Sequence, residues 1–262
     1  MSLSHGSPHN SRVLRVNSFH ELITTPFASG INALCWARTL PGDFAAAVAL
    51  LDHHSRTSAS SVKPVQRSEP SDSEPNDGLV TLSPSALSAQ LSARALGAPI
   101  RAALETLLED LRRLREHDRD PVLNLIHGYP RDEDGGPVPT DVFSFHADSA
   151  PIAADTWLCT YHGPPSEGLR NEDARRKVDI PEIRAALLKL FGGNDDESFR
   201  EFLSEAHYDL HYAPHANAKP YSFGVGHLWR IACETPGSPI PPCIHRAPVT
   251  QPGDPPRLLL IS

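Results

Sequence analysis

Proline is the residue that most limits what this chain can fold into. There are 26 prolines in 262 residues. Each lacks a backbone N–H and clashes with the preceding turn of a helix, and each is kept out of the middle of a sheet. A bundle of long helices is therefore excluded, and short elements joined by stiff loops are expected. After Pro121, runs rich in β-formers alternate with Gly/Pro turns. They lie at 122–127, 141–146, 156–162, 208–212, 223–233, 242–246 and 257–261. That spacing predicts seven or eight short strands, the pattern of a barrel or double-sheet jelly roll.

Helices flank this β region. Residues 1–12 read as a disordered tail, and 13–262 as a single domain. A strand-like stretch at 31–38 leads through Pro41, Gly42 and Asp43 into a short helix at 44–51. Residues 55–84 are rich in Ser, Pro, Glu and Asp and predict a flexible loop, densest at 55–77. A helix is expected at 85–95, and Pro99 suits the first turn of another. In that helix Ile100, Leu104, Leu107, Leu108, Leu111 and Leu114 form an apolar stripe, with Arg101, Glu105, Glu109, Asp110, Arg112 and Arg113 on the remaining face. Stripes of Ile183, Leu187, Leu188 and Phe191, and of Phe199, Phe202 and Leu203, predict a helical insert at 180–206.

Composition narrows the function classes. The formal charge of −8 argues against a nucleic-acid backbone as partner. No apolar run approaches the ~20 residues that span a bilayer, and the polar N-terminus lacks a signal-peptide core. The four cysteines include no CxxC pair, so a reduced, cytoplasmic chain is expected.

The sharpest chemical feature is Phe145, His146, Ala147, Asp148. On a strand, residues two apart share a face, so His146 and Asp148 would offer a nitrogen and an oxygen to one point. His245 lies on another predicted strand. Two histidines and a carboxylate can occupy one face of an octahedral metal and leave three positions open, the facial triad of non-haem Fe(II) oxygenases. Arg257 opens the final strand, where a guanidinium could grip a carboxylate with two parallel hydrogen bonds. Arg246 could do the same, but its place beside His245 turns it to the opposite face. Glu167 reads as a loop acid that could touch substrate or simply face solvent.

The order HxD…H…R, carried by His146, Asp148, His245 and Arg257, resembles the double-stranded β-helix, or cupin-like jelly roll, of the Fe(II)/2-oxoglutarate-dependent oxygenases. Local wording also resembles an uncharacterised bacterial family with the pattern FHxD, TYxGPGTEW, HRSP and RLLL. The matching segments here are Phe145 to Asp148, Thr160-Tyr161-His162-Gly163-Pro164-Pro165-Ser166-Glu167, His245-Arg246-Ala247-Pro248 and Arg257-Leu258-Leu259-Leu260. The fold expected is α+β, a double-stranded β-helix core with flanking helices and an N-terminal helical extension. The resemblance implies an oxidoreductase, a dioxygenase oxidising or hydroxylating a small molecule such as an amino acid or its derivative. Its cofactors would be Fe(II), held by His146, Asp148 and His245, and 2-oxoglutarate, whose distal carboxylate would pair with Arg257. O₂ would be the co-substrate. Tyr161 is a candidate second hydrogen bond to 2-oxoglutarate, against a plain core or rim tyrosine.

Competing patterns stay in view. His207, His211 and His215 recur every fourth residue, a zinc spacing on a helix, but HExxH is absent and the segment reads as a strand or loop. GxSxG and the phosphate-loop patterns do not occur. The same ligands would also suit a non-catalytic zinc-binding or metal-homeostasis jelly roll, or a metal-dependent cupin enzyme that needs no 2-oxoglutarate.

Overall fold

The computed structural model describes residues 12–60, 78–92, 96–132, 136–251 and 253–262. The order of elements is β1 (Val13–Val16), α1 (Phe19–Thr24), β2 (Ala33–Trp36), α2 (Phe44–Ser60), β3 (Leu79–Leu82), α3 (Pro84–Leu91), α4 (Ala98–Arg115), β4 (Val122–Ile126) and β5 (Asp155–His162). Then follow β6 (Glu167–Leu169), β7 (Ala174–Arg176), α5 (Pro181–Phe191), α6 (Glu197–Glu205), β8 (Tyr212–Pro214), β9 (Tyr221–Ser222), β10 (Leu228–Ala232), β11 (Ile244–Arg246) and β12 (Arg257–Ile261). The fold is mixed α/β, with multi-stranded sheet and helices. Among the described residues no sheet closes into a barrel. None of the described helices is long and apolar enough to cross a membrane.

Contacts divide the chain into two compact, discontinuous units. The first gathers Met1–Ala37, Arg131–Trp157 and Pro165–Val249. In it β1 runs parallel to β2, and β10 pairs antiparallel with β2. A second sheet has the order β11-β6-β9, and β7 pairs with β8. Arg230 on β10 fastens the end of α1: its guanidinium donates to the carbonyls of Ile23 and Thr25 at 3.0 and 2.9 Å, and pairs with Asp155 at 2.7 Å. Helices α5 and α6 close over a core of Val138, Val178, Leu187, Phe199 and Leu203. The Asp196 side chain caps α6, and Gly192 ends α5 in the left-handed region.

The second unit comprises Arg38–Pro130, Leu158–Pro164 and Thr250–Ser262. Here β12 lies between β5 and β4, and β3 pairs with β4, all antiparallel. Helix α4 buries Leu104, Leu107, Leu111 and Leu114, as its stripe requires. Asp110, placed by its spacing on the polar face, is buried instead. It is held there by Arg38 and by the Tyr161 hydroxyl, which donates to it at 2.7 Å.

Several predicted elements differ. The helix expected at 44–51 continues to Ser60, and β3 falls inside the 55–84 span read as loop. Residues 1–11 and 61–77, the rest of the expected tail and loop, lie outside the described residues. The strand expected at 141–146 is mostly turn, because the Asp141 carboxylate accepts from the N–H groups of Phe143 and Ser144 at 3.1 and 3.2 Å. Such Asx bonding offers the backbone an alternative to the ladder. The strand expected at 208–212 begins as a short 3₁₀ turn, and β8 starts only at Tyr212. The run 223–233 is a strand only over β10.

Candidate metal centre

His146 sits on a short extended segment that makes isolated bridges to His245 on one side and His211 on the other. With His245 it exchanges both backbone hydrogen bonds, at 2.9 and 2.8 Å. The neighbours of these residues settle which way the side chains face. Phe145, Ala147, Tyr212 and Ile244, together with Leu169, form one buried apolar cluster. Successive residues on an extended chain alternate faces, so His146, His211 and His245 occupy the other side. An apolar–polar alternation over a few residues thus orients the site.

On that side the donors converge. One ligand atom each from His146, Asp148 and His245 lie within 4.8 Å of one another. His146 Nε2 is 4.0 Å from Asp148 Oδ1, and His245 Nε2 is 3.8 Å from Asp148 Oδ2. The two imidazole rings have centroids 4.6 Å apart. Each ring turns Nδ1 towards a backbone carbonyl, His146 to Ser144 at 2.8 Å and His245 to Cys243 at 3.4 Å. Donation from Nδ1–H leaves the lone pair on Nε2, the arrangement that supports metal ligands in general.

Electrostatics favour the ligating forms. Burial, then the neighbouring His245, push His146 down to about 4, so its imidazole is neutral at pH 7. Burial opposes ionisation of Asp148, yet His245, a hydrogen bond from Thr156 and His146 together hold its carboxyl below the usual range. The Thr156 hydroxyl donates to Asp148 Oδ2 at 2.5 Å and also meets Cys233 Sγ at 3.4 Å. Two imidazoles, one carboxylate and an orienting hydroxyl fit a divalent cation bound on one face.

The other residues singled out in the sequence have different surroundings. Arg246 points away from the donors: it lies over the Phe145 ring at 4.4 Å and pairs with Glu167 at 2.6 Å. Glu167 thus serves that ion pair. Arg257 and Tyr161 belong to the second unit. The Arg257 guanidinium is buried and bonds to the hydroxyls of Tyr129 and Thr160, at 3.2 and 2.9 Å. The Tyr161 hydroxyl, a candidate cosubstrate contact in the sequence, donates to Asp110 at 2.7 Å. Of the histidines spaced by four, His207 and His215 are exposed and His211 is buried; only the His146, Asp148, His245 group brings three donors together among the described residues. Thr156, Lys177 and Ser144 went unnoticed in the sequence, because nothing local marks a residue brought close by cross-strand register.

Comparison of the chain with family models, with curated proteins and with solved structures found no match. The site's own geometry therefore carries the functional reading.

Proposed function

We propose that the protein is a mononuclear non-haem Fe(II) oxygenase that uses 2-oxoglutarate to oxidise, most simply to hydroxylate, a small molecule. The observation that carries this is the convergence of two Nε2 atoms and one carboxylate from His146, His245 and Asp148. Three protein ligands on one side leave three positions for cosubstrate, O₂ and the approach of substrate. A jelly-roll core belongs to the same reading; it is supported by the pairing of the short segment bearing His146 with the strand bearing His245.

When bound, ferrous iron supplies the oxidation chemistry, coupled to decarboxylation of 2-oxoglutarate to succinate and CO₂. The protein's part is binding and orientation. His146 and His245 present imidazoles fixed by their carbonyl contacts, and Asp148 supplies the charge that balances the cation. Thr156 holds one carboxylate oxygen. The apolar cluster behind the histidines keeps water from the rear of the site.

The test is anaerobic Fe(II) titration followed by 2-oxoglutarate-dependent O₂ uptake and succinate release. Wild type is expected to bind one equivalent of iron, and His146→Ala and Asp148→Ala to lose it. Unchanged iron affinity in both variants refutes the site. Tightly held zinc with no succinate release would replace the oxygenase by a zinc-binding protein, and O₂ uptake independent of 2-oxoglutarate would leave a cupin-type enzyme.

A further inference from the structure

The metal ligands belong to a longer row. Antiparallel register puts directly opposed residues on the same face of a sheet. His245 opposes His146, and His146 opposes His211. The β7–β8 register sets Arg176 against Tyr212, and the next N–H, that of Lys177, donates to the His211 carbonyl at 2.8 Å. The row therefore reads Lys177, His211, His146, His245. Beyond it Gly168 opposes His245, and a Cβ there would lie 2.3 Å from the Tyr221 ring. The Tyr221 ring thus covers that end, so the row extends from the metal ligands only towards His211 and Lys177.

Three features of the Lys177 end lack an explanation in the fold. His211 is 4 % exposed, and its Nδ1 is buried with no hydrogen-bond partner among the described residues. Its ring centroid is 5.8 Å from that of His146, and it stands beside the three grouped donors without being one of them. Lys177 is half-buried, and its ammonium donates to the Ser144 hydroxyl at 2.6 Å. It forms no contact ion pair among the described residues; the Asp141 carboxylate, which accepts from backbone N–H groups, acts on it only through space. A buried polar atom without a partner is rare enough in a folded protein to call for a ligand or water, and a half-buried ammonium without a contact ion pair favours an anion that meets it directly.

We infer that Lys177 and His211, with the Ser144 hydroxyl, form an anion subsite that binds a carboxylate of the substrate beside the metal. Two strand spacings of about 4.8 Å separate Lys177 from His146, so the carboxylate would lie roughly 5–10 Å from the metal. The substrate class is accordingly a small carboxylic acid, anchored at one end and oxidised at the other. This inference rests on the metal-centre reading and adds its substrate class.

The experiment uses the full chain loaded with Zn(II), which binds without turnover, and measures acid binding by calorimetry. The probes are 2-oxoglutarate alone, then butyrate in saturating 2-oxoglutarate. In Lys177→Gln and His211→Asn, zinc affinity should stay within about threefold of wild type while butyrate affinity falls at least tenfold; Lys177→Arg should retain most of it. Thermal melts establish that each variant folds. A loss confined to 2-oxoglutarate would identify the bound group as the cosubstrate's carboxylate and overturn the substrate assignment. Absence of butyrate binding in wild type, or equal binding in wild type and both variants, would overturn the subsite. If wild type binds no metal, the metal centre itself fails. The subsite then stands or falls on butyrate binding to the metal-free chain and its dependence on Lys177.

Discussion

Asp110→Ala should be among the most damaging single changes outside the metal centre. The Asp110 side chain is 2 % exposed and that of Arg38 10 %. Arg38 grips the carboxylate with both terminal nitrogens, Nη1 to Oδ1 at 2.8 Å and Nη2 to Oδ2. Burial opposes the Arg38 charge, but its bonds to Asp110 outweigh that and raise its pKa above the ordinary value. Removing the carboxylate leaves the guanidinium and the Tyr161 hydroxyl without this acceptor, in a place water scarcely reaches. Breaking one partner of a buried pair costs about 3–5 kcal/mol, against a total stability of roughly 5–15 kcal/mol for a typical domain. At about 2–4 °C per kcal/mol for a chain of this size, the melting temperature should fall by roughly 6–20 °C. Urea denaturation of wild type, Asp110→Ala, Arg38→Met and the double variant measures the coupling directly. The double variant should be less destabilised than the two singles added together, since it leaves no orphaned charge. A loss below about 1 kcal/mol, the range of an exposed ion pair, or strict additivity in the cycle, refutes the reasoning. Tyr161→Phe should cost about 1 kcal/mol and leave the KM for 2-oxoglutarate unchanged; a large rise in that KM would return Tyr161 to the cosubstrate.

Thr156→Val removes the hydroxyl that donates to Asp148; metal affinity measured by competition with a chelator should weaken about 10–100-fold, and an unchanged affinity would show that Asp148 orients itself. In the metal-free protein His146 titrates near 4 when folded, against 6.5 for an unperturbed histidine. Between those values the unfolded chain binds the proton and the folded one does not, so stability is complete above about pH 6.5 and declines as pH falls towards 4. The loss is on the order of 3 kcal/mol, and His146→Gln should flatten the pH dependence of urea midpoints; parallel curves for the two proteins would contradict this. Gly163 adopts φ +81°, and a Cβ there would lie 3.1 Å from Arg257 Cα. Gly163→Ala should therefore destabilise by about 1–3 kcal/mol in chemical denaturation, whereas equal stability would mean the turn can relax.

Much of the local structure was legible because its causes are local. The Leu stripe of α4, the paired stripes of α5 and α6, and the strands β4, β5 and β12 follow from periodicity and from where glycine and proline fall. Errors came where a side chain competed with the backbone or where burial overrode polarity. Asp141 turned an expected strand into a turn. Asp110, polar by spacing, was drawn inward by Arg38 and Tyr161, which lie far from it along the chain.

For the site, the sequence alone determined the donor types and one geometric relation. His146 and Asp148, two apart on an extended segment, had to share a face, and any chain with these residues on a strand would do the same. Tertiary structure decided the rest. Only strand register could bring His245 beside His146, set His211 and Lys177 in line with them, and bring Thr156 to Asp148. Register depends on hydrogen bonds between segments remote in the chain and on which face meets the core, so it is written in pairs of segments and not in any one of them.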